Sequence, residues 1–241
     1  MNRALTFEQS LKGGKVIINR AENNLTAKVF VTLFNSLGAS GEVLMALGLE
    51  KKKCDDQVRF ELFWKGFRDY AITNKDCREN FIKEYKKIIP SIRKAVQCTR
   101  LHMRDIFYTD SDRDKLFNEL RNTEIDIAVF SRQRIYLGEA KRKEKLGFNG
   151  RNILAHQFIR QRIMIEILKA LTGDQREVVS FIICDRSRIR SLSRMEQVKA
   201  LTFFDGRRPL VLSWQNVLGQ IRDVPEARSV MEEVERIISI D

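Results

Sequence analysis

The stretch from Thr123 to Lys145, TEIDIAVFSRQRIYLGEAKRKEK, constrains this chain more than any other. Two apolar runs, TEIDIAVF and IYLGEAK, flank the polar SRQR, which is the pattern of a β-hairpin. With Ser131 to Arg134 as the loop, Phe130 faces Ile135, Asp126 faces Glu139 and Glu124 faces Lys141. Side chains alternate between the faces of a strand, so Glu124, Asp126, Glu139 and Lys141 project from one face. Ala128, Phe130, Ile135 and Leu137 continue that face, and Ile125, Ile127, Val129, Tyr136 and Ala140 form the other. Apolar residues on both sides predict a strand pair buried on both sides.

Charges in such a place need compensation. Directly opposed residues have Cβ atoms about 4.5–5.5 Å apart, and two carboxylates at that distance repel unless a proton or a cation lies between them. A divalent metal between Asp126 and Glu139 is the simplest solution. Mg²⁺ suits it, because that ion takes one or two carboxylates and keeps several waters. Lys141 would stand beside the ion, able to hold or deprotonate a water. The bland alternative is a surface hairpin carrying an ordinary Glu–Lys cross-strand pair. The apolar flanks argue against it.

Asp126 followed on the second hairpin strand by Glu139-Ala140-Lys141 resembles the D…(D/E)-x-K signature of the PD-(D/E)XK nuclease superfamily. Ile125 stands where that family usually has proline. The resemblance implies an α/β fold: a restriction-endonuclease-like mixed sheet flanked by helices. It also implies a Mg²⁺-dependent endonuclease acting on DNA, with Mn²⁺ able to substitute. Asp126 and Glu139 would hold the metal with the Ala140 carbonyl, and Lys141 would position the attacking water. Glu22, in the first turn of a helix before the hairpin, matches the acid that many such nucleases place there. Its ordinary reading is a carboxylate complementing the helix dipole. Gln157 and Gln161, on the helix after the hairpin, loosely match a polar residue near the scissile phosphate.

The composition agrees with a polyanionic partner. The chain of 241 residues has a net charge of +12 and a pI near 9.7. That balance favours nucleic acid. DNA is the expected partner, and RNA is the alternative. Arg142, Lys143, Lys145 and Arg151 would bind flanking phosphates, as would Arg188 and Arg190 in DRSRIRSLSR, which reads as a basic loop after a strand end. Only two histidines are present, which argues against sites built from several His ligands. The four cysteines form no CxxC pair and read as isolated thiols. No run approaches the ~18–20 apolar residues of a membrane span, and the first residues lack the apolar stretch of a signal peptide. A cytoplasmic location is therefore expected.

Along the chain, residues 1–49 read as N-terminal helices of the core, with Leu25, Val29, Leu33 and Leu37 on one stripe and Phe30 and Phe34 beside it. Residues 50–120 read as a mostly helical insertion. Phe60, Phe63, Trp64 and Phe67 form one stripe there, and Phe81, Tyr85, Ile88, Ile92 and Val96 another, with Pro90 a predicted kink. Lys83, Lys86, Lys87, Arg93 and Lys94 cover other parts of that second helix. Residues 121–241 carry the hairpin and the rest of the core. A helix ends at Gly173, EVVSFIICD is an apolar strand parallel to IYLGEAK, PLVLSW is a further strand, and helices follow each. One strand of the core that the resemblance implies has no obvious counterpart.

Three functional readings follow. The first is a restriction, defence or DNA-processing endonuclease, with a homodimer supplying two sites for the two strands. A junction resolvase or repair nuclease belongs to the same class. The second is a non-catalytic nucleic-acid-binding module that keeps the fold. The third, a buried carboxylate site acting on a small molecule, does not need so many cations.

Overall fold

A computed structural model describes residues 21–52, 57–97, 110–141 and 157–221, together with 99, 228 and 232. Its elements are, in order, α1 (Ala21–Leu37), α2 (Glu42–Ala46), β1 (Arg59–Trp64), α3 (Gly66–Thr73), α4 (Cys77–Gln97), α5 (Asp110–Arg121), β2 (Ile125–Phe130), β3 (Arg134–Lys141), α6 (Gln157–Thr172), β4 (Glu177–Cys184), a 3-10 turn (Arg186–Arg188), α7 (Ile189–Leu192), α8 (Glu196–Asp205), β5 (Leu210–Ser213) and α9 (Trp214–Ile221).

The strands form one five-stranded sheet in the order β1-β2-β3-β4-β5. β1, β2 and β3 are antiparallel neighbours, and β4 and β5 continue the sheet in parallel with β3. Hairpin pairing runs Phe130↔Ile135, Val129↔Tyr136, Ala128↔Leu137 and Ile127↔Gly138, the register that the SRQR loop predicts. The loop closes through Ser131, whose N–H donates to the Arg134 carbonyl at 2.9 Å and whose hydroxyl accepts the Arg134 N–H.

Helices cover both faces of the sheet. On one side, Phe81, Tyr85 and Ile92 of α4 and Ile159, Ile163 and Ile167 of α6 pack on Ala128, Phe130, Ile135 and Leu137. On the other, Leu25, Val29, Phe30 and Leu33 of α1 and Val217 and Leu218 of α9 pack on Ile127, Val129, Tyr136 and Ala140. α6 is buried on most of its surface because it lies between the sheet and the outer helices α4 and α8. It ends where Gly173 (φ 72°) takes the left-handed conformation and the Asp174 N–H returns to the Lys169 carbonyl, a Schellman closure. β4 is apolar on both faces, as befits a strand with parallel neighbours on each side.

Three readings of the sequence need correction. The stripe Phe60, Phe63 and Trp64 belongs to a strand, because β1 pairs with β2 from Arg59↔Phe130 to Trp64↔Ile125. Helices α3 to α5 therefore sit between two adjacent strands of one sheet and share its core. Ile125, assigned by alternation to the face of Ile127, packs on the opposite side with Trp64. The basic stretch after β4 is wound into helical turns, and Asp185 caps them by accepting from the Ser187 N–H at 2.8 Å. α4 runs on through Pro90. Among the described residues, no helix is long and apolar enough to cross a membrane.

Candidate active site

The site lies at the end of β3 that also carries the C-terminal end of β4, where Lys141 pairs with Cys184. Strand carboxyl ends are the usual place for ligands in open α/β sheets. The antiparallel ladder stops at Ile127↔Gly138. One step further, the Asp126 carboxylate takes over the ladder's role, with Oδ2 accepting the Ala140 N–H at 2.9 Å. The carboxyl group is thus turned toward β3 and into contact with Glu139.

Glu139 is fully buried. Its Oε1 is 2.6 Å from Lys141 Nζ and also accepts from Gln157 Nε2, and its Oε2 accepts from Gln161 Nε2 at 2.7 Å. Gln157 and Gln161 are one turn apart on α6, so one helix face delivers both amides. The Gln161 amide also donates to the Glu124 carbonyl at 2.9 Å, tying α6 to the start of β2. Lys141 is itself buried, and its carbonyl accepts from Trp214 Nε1 at 3.3 Å. Indole, lysine backbone and α9 thereby fix the end of β3.

This packing shifts the Asp126 acid. Burial pushes its pKa up to about 8, and the neighbouring Glu139 carboxylate adds to the rise. Lys141 and the Ala140 N–H oppose it. Two carboxyl groups this close share either a proton or a cation. Asp126 and Glu139 are hard oxygen donors and fit Mg²⁺ or Mn²⁺ as a one- or two-carboxylate site. Among the described residues there is no group of three or more His, Cys, Asp or Glu side chains that could hold a metal ion.

The structure thus brings together Asp126, Glu139, Lys141, Gln157 and Gln161. The two glutamines bind Glu139 directly. The Glu22 backbone lies in α1, but its side chain is outside the described residues, as are Arg142, Lys143, Lys145 and Arg151. Arg190 is exposed and Arg188 half-buried. Both lie beyond the same end of β4 as the carboxylates, on turns anchored by Arg186 to Asn216 at 3.0 Å. Two residues escaped the sequence reading. Trp214 gave no signal beyond its place at a strand end. Lys65, paired with Glu124 at 3.1 Å, was hidden by the helical reading of its segment. Compared with known proteins, the chain matches no family model, no curated relative and no solved structure.

Proposed function

We propose that this protein is a divalent-metal-dependent endonuclease of the PD-(D/E)XK, restriction-endonuclease-like kind, hydrolysing phosphodiester bonds in DNA. The observation that carries the proposal is the carboxylate pair on the hairpin: Asp126 held against Glu139, with Lys141 at 2.6 Å from Glu139. The sheet order adds support. An antiparallel meander of β1, β2 and β3, a crossover helix and a parallel fourth strand are compatible with such a core.

Each residue has a role in this reading. Asp126 and Glu139 would hold Mg²⁺ or Mn²⁺, which would supply Lewis-acid stabilisation of the charge developing on the phosphate. Asp126 and Glu139 supply the anionic oxygens. Gln157 and Gln161 fix the rotamer of Glu139, so little reorganisation is needed when the cation arrives. Lys141 Nζ orients the attacking water and holds positive charge where a proton leaves. The apolar walls of the hairpin keep the local dielectric low, which strengthens each of these interactions. The excess positive charge of the chain draws the polyanionic substrate to it. A homodimer would be required to cut both strands in one encounter.

The test is incubation of the purified protein with supercoiled plasmid, linear duplex and structured RNA, with Mg²⁺, with Mn²⁺ and with chelator. The expected result is metal-dependent nicking or linearisation of DNA, and the product ends will separate restriction, nicking and junction resolution. Salt-dependent DNA binding without cleavage in either metal would favour a binding module instead.

A further inference from the structure

We infer that Lys65 is a substrate-phosphate-binding residue at the β1 side of this site, held by Glu124 until a nucleic-acid backbone takes its place. The inference rests on the nuclease reading above. Its first support is position. The β1–β2 register ends at Trp64↔Ile125, so the next step sets Lys65 opposite Glu124, two residues before Asp126. Lys65 Nζ lies 3.1 Å from Glu124, and the Glu124 carbonyl shares the Gln161 amide with Glu139. Lys65 is thus one ion pair away from the residues that clamp Glu139.

The second support is the backbone. Phe63, at the register position facing Asp126, is the one non-glycine residue with positive φ among the described residues (54°). An aromatic residue in that region is strained, and such strain persists where the surrounding structure enforces it. The packing next to it is tight. The Trp64 ring folds over Gly66 so closely that a Cβ there would lie 2.1 Å from it, and Trp64 stacks edge-on against Phe130 at 5.1 Å. This corner throws Trp64 to the α6 side of the sheet, breaks the strand at Lys65 and turns the chain into α3.

The third support is chemistry. Lys65 and Glu124 are each about one-third exposed (32% and 34%), unlike the buried Lys141–Glu139 pair. An ion pair this open is weak and easily exchanged. A phosphate diester can replace the Glu124 carboxylate on Lys65 without any buried charge losing its partner.

The experiment is fluorescence anisotropy of a short DNA duplex with the metal-free full-length protein, across a salt series, for wild type, Lys65→Ala, Lys65→Arg and Glu124→Gln. Loss of one phosphate contact lowers the slope of log affinity against log salt by about one. Lys65→Ala should show that drop with severalfold weaker binding, Lys65→Arg should keep the wild-type slope, and Glu124→Gln should bind more tightly. An unchanged slope in Lys65→Ala, with wild type binding normally, overturns the inference and leaves the nuclease reading standing. A wild-type protein that shows no salt-dependent binding to DNA removes both.

Discussion

Gln161 donates from a single amide nitrogen to Glu139 Oε2 at 2.7 Å and to the Glu124 carbonyl at 2.9 Å. One side chain of α6 therefore fixes both the Glu139 carboxylate and the strand that carries Asp126. Gln161→Leu preserves the bulk and removes both bonds. It leaves a buried carboxylate and a carbonyl short of a donor, at a cost of about 1–3 kcal/mol. Cation affinity should fall by roughly 10–100-fold, the usual effect of losing a partner that orients a ligand. Urea unfolding reads the first effect and Mn²⁺ titration calorimetry the second.

Lys141 and Glu139 are a buried ion pair, and breaking one side of such a pair strands the other. Lys141→Met should destabilise the metal-free protein at pH 7 by about 3–5 kcal/mol. Adding Mn²⁺ should recover part of that loss, because the cation restores positive charge beside Glu139. Urea midpoints with and without metal check both statements. A midpoint that metal leaves unchanged would mean that the cation binds elsewhere.

Asp126 gives the pH dependence. Its folded pKa is raised from an ordinary 3.8 to about 8. Between those values the folded state holds a proton that the unfolded state has released. The stability of the metal-free protein should therefore fall as pH rises from about 4 to about 8, since stability rises with pH only where the unfolded state binds more protons. Asp126→Asn should flatten this part of the curve. Saturating Mg²⁺ should abolish it, because the cation displaces the proton and neither state then holds one over most of that range. Thermal or urea midpoints across that range provide the measurement.

Gly138 tests the packing beneath the site. A Cβ at this position would lie 2.1 Å from the Phe181 ring of β4. Gly138→Ala should destabilise the fold by about 1–3 kcal/mol through overpacking, and Phe181→Leu in the same chain should recover most of the loss. Urea unfolding of the single and double variants decides this.

The hairpin was legible because two independent constraints agreed. Its apolar faces fix which residues point where, and Ser131 closes the loop at one length, so Asp126 and Glu139 had to converge. The helices α1, α6 and α8 and the strands β4 and β5 were legible from periodicity and from Gly173. β1 was not. Phe60, Phe63, Trp64 and Phe67 fall at the three- and four-residue steps of a helical stripe. The strained Phe63 also breaks the alternation that would have marked a strand, and pairing with β2 decides the outcome. The arginines after β4 were visible as charge, but their helical turns depend on the Asp185 cap and on Asn216, a contact distant in sequence. Gln157 and Gln161 were visible as polar residues near the site, while their common target, Glu139, became clear only once α6 was placed over the hairpin.

The most direct test of the central claim compares plasmid cleavage by wild type, Asp126→Asn, Glu139→Gln and Lys141→Met in Mg²⁺ and Mn²⁺, with circular dichroism to verify that each variant is folded. The account requires cleavage by wild type that depends on metal and is lost in all three folded variants while DNA binding persists. Undiminished cleavage by folded Glu139→Gln and Lys141→Met would contradict it and place the chemistry away from the hairpin.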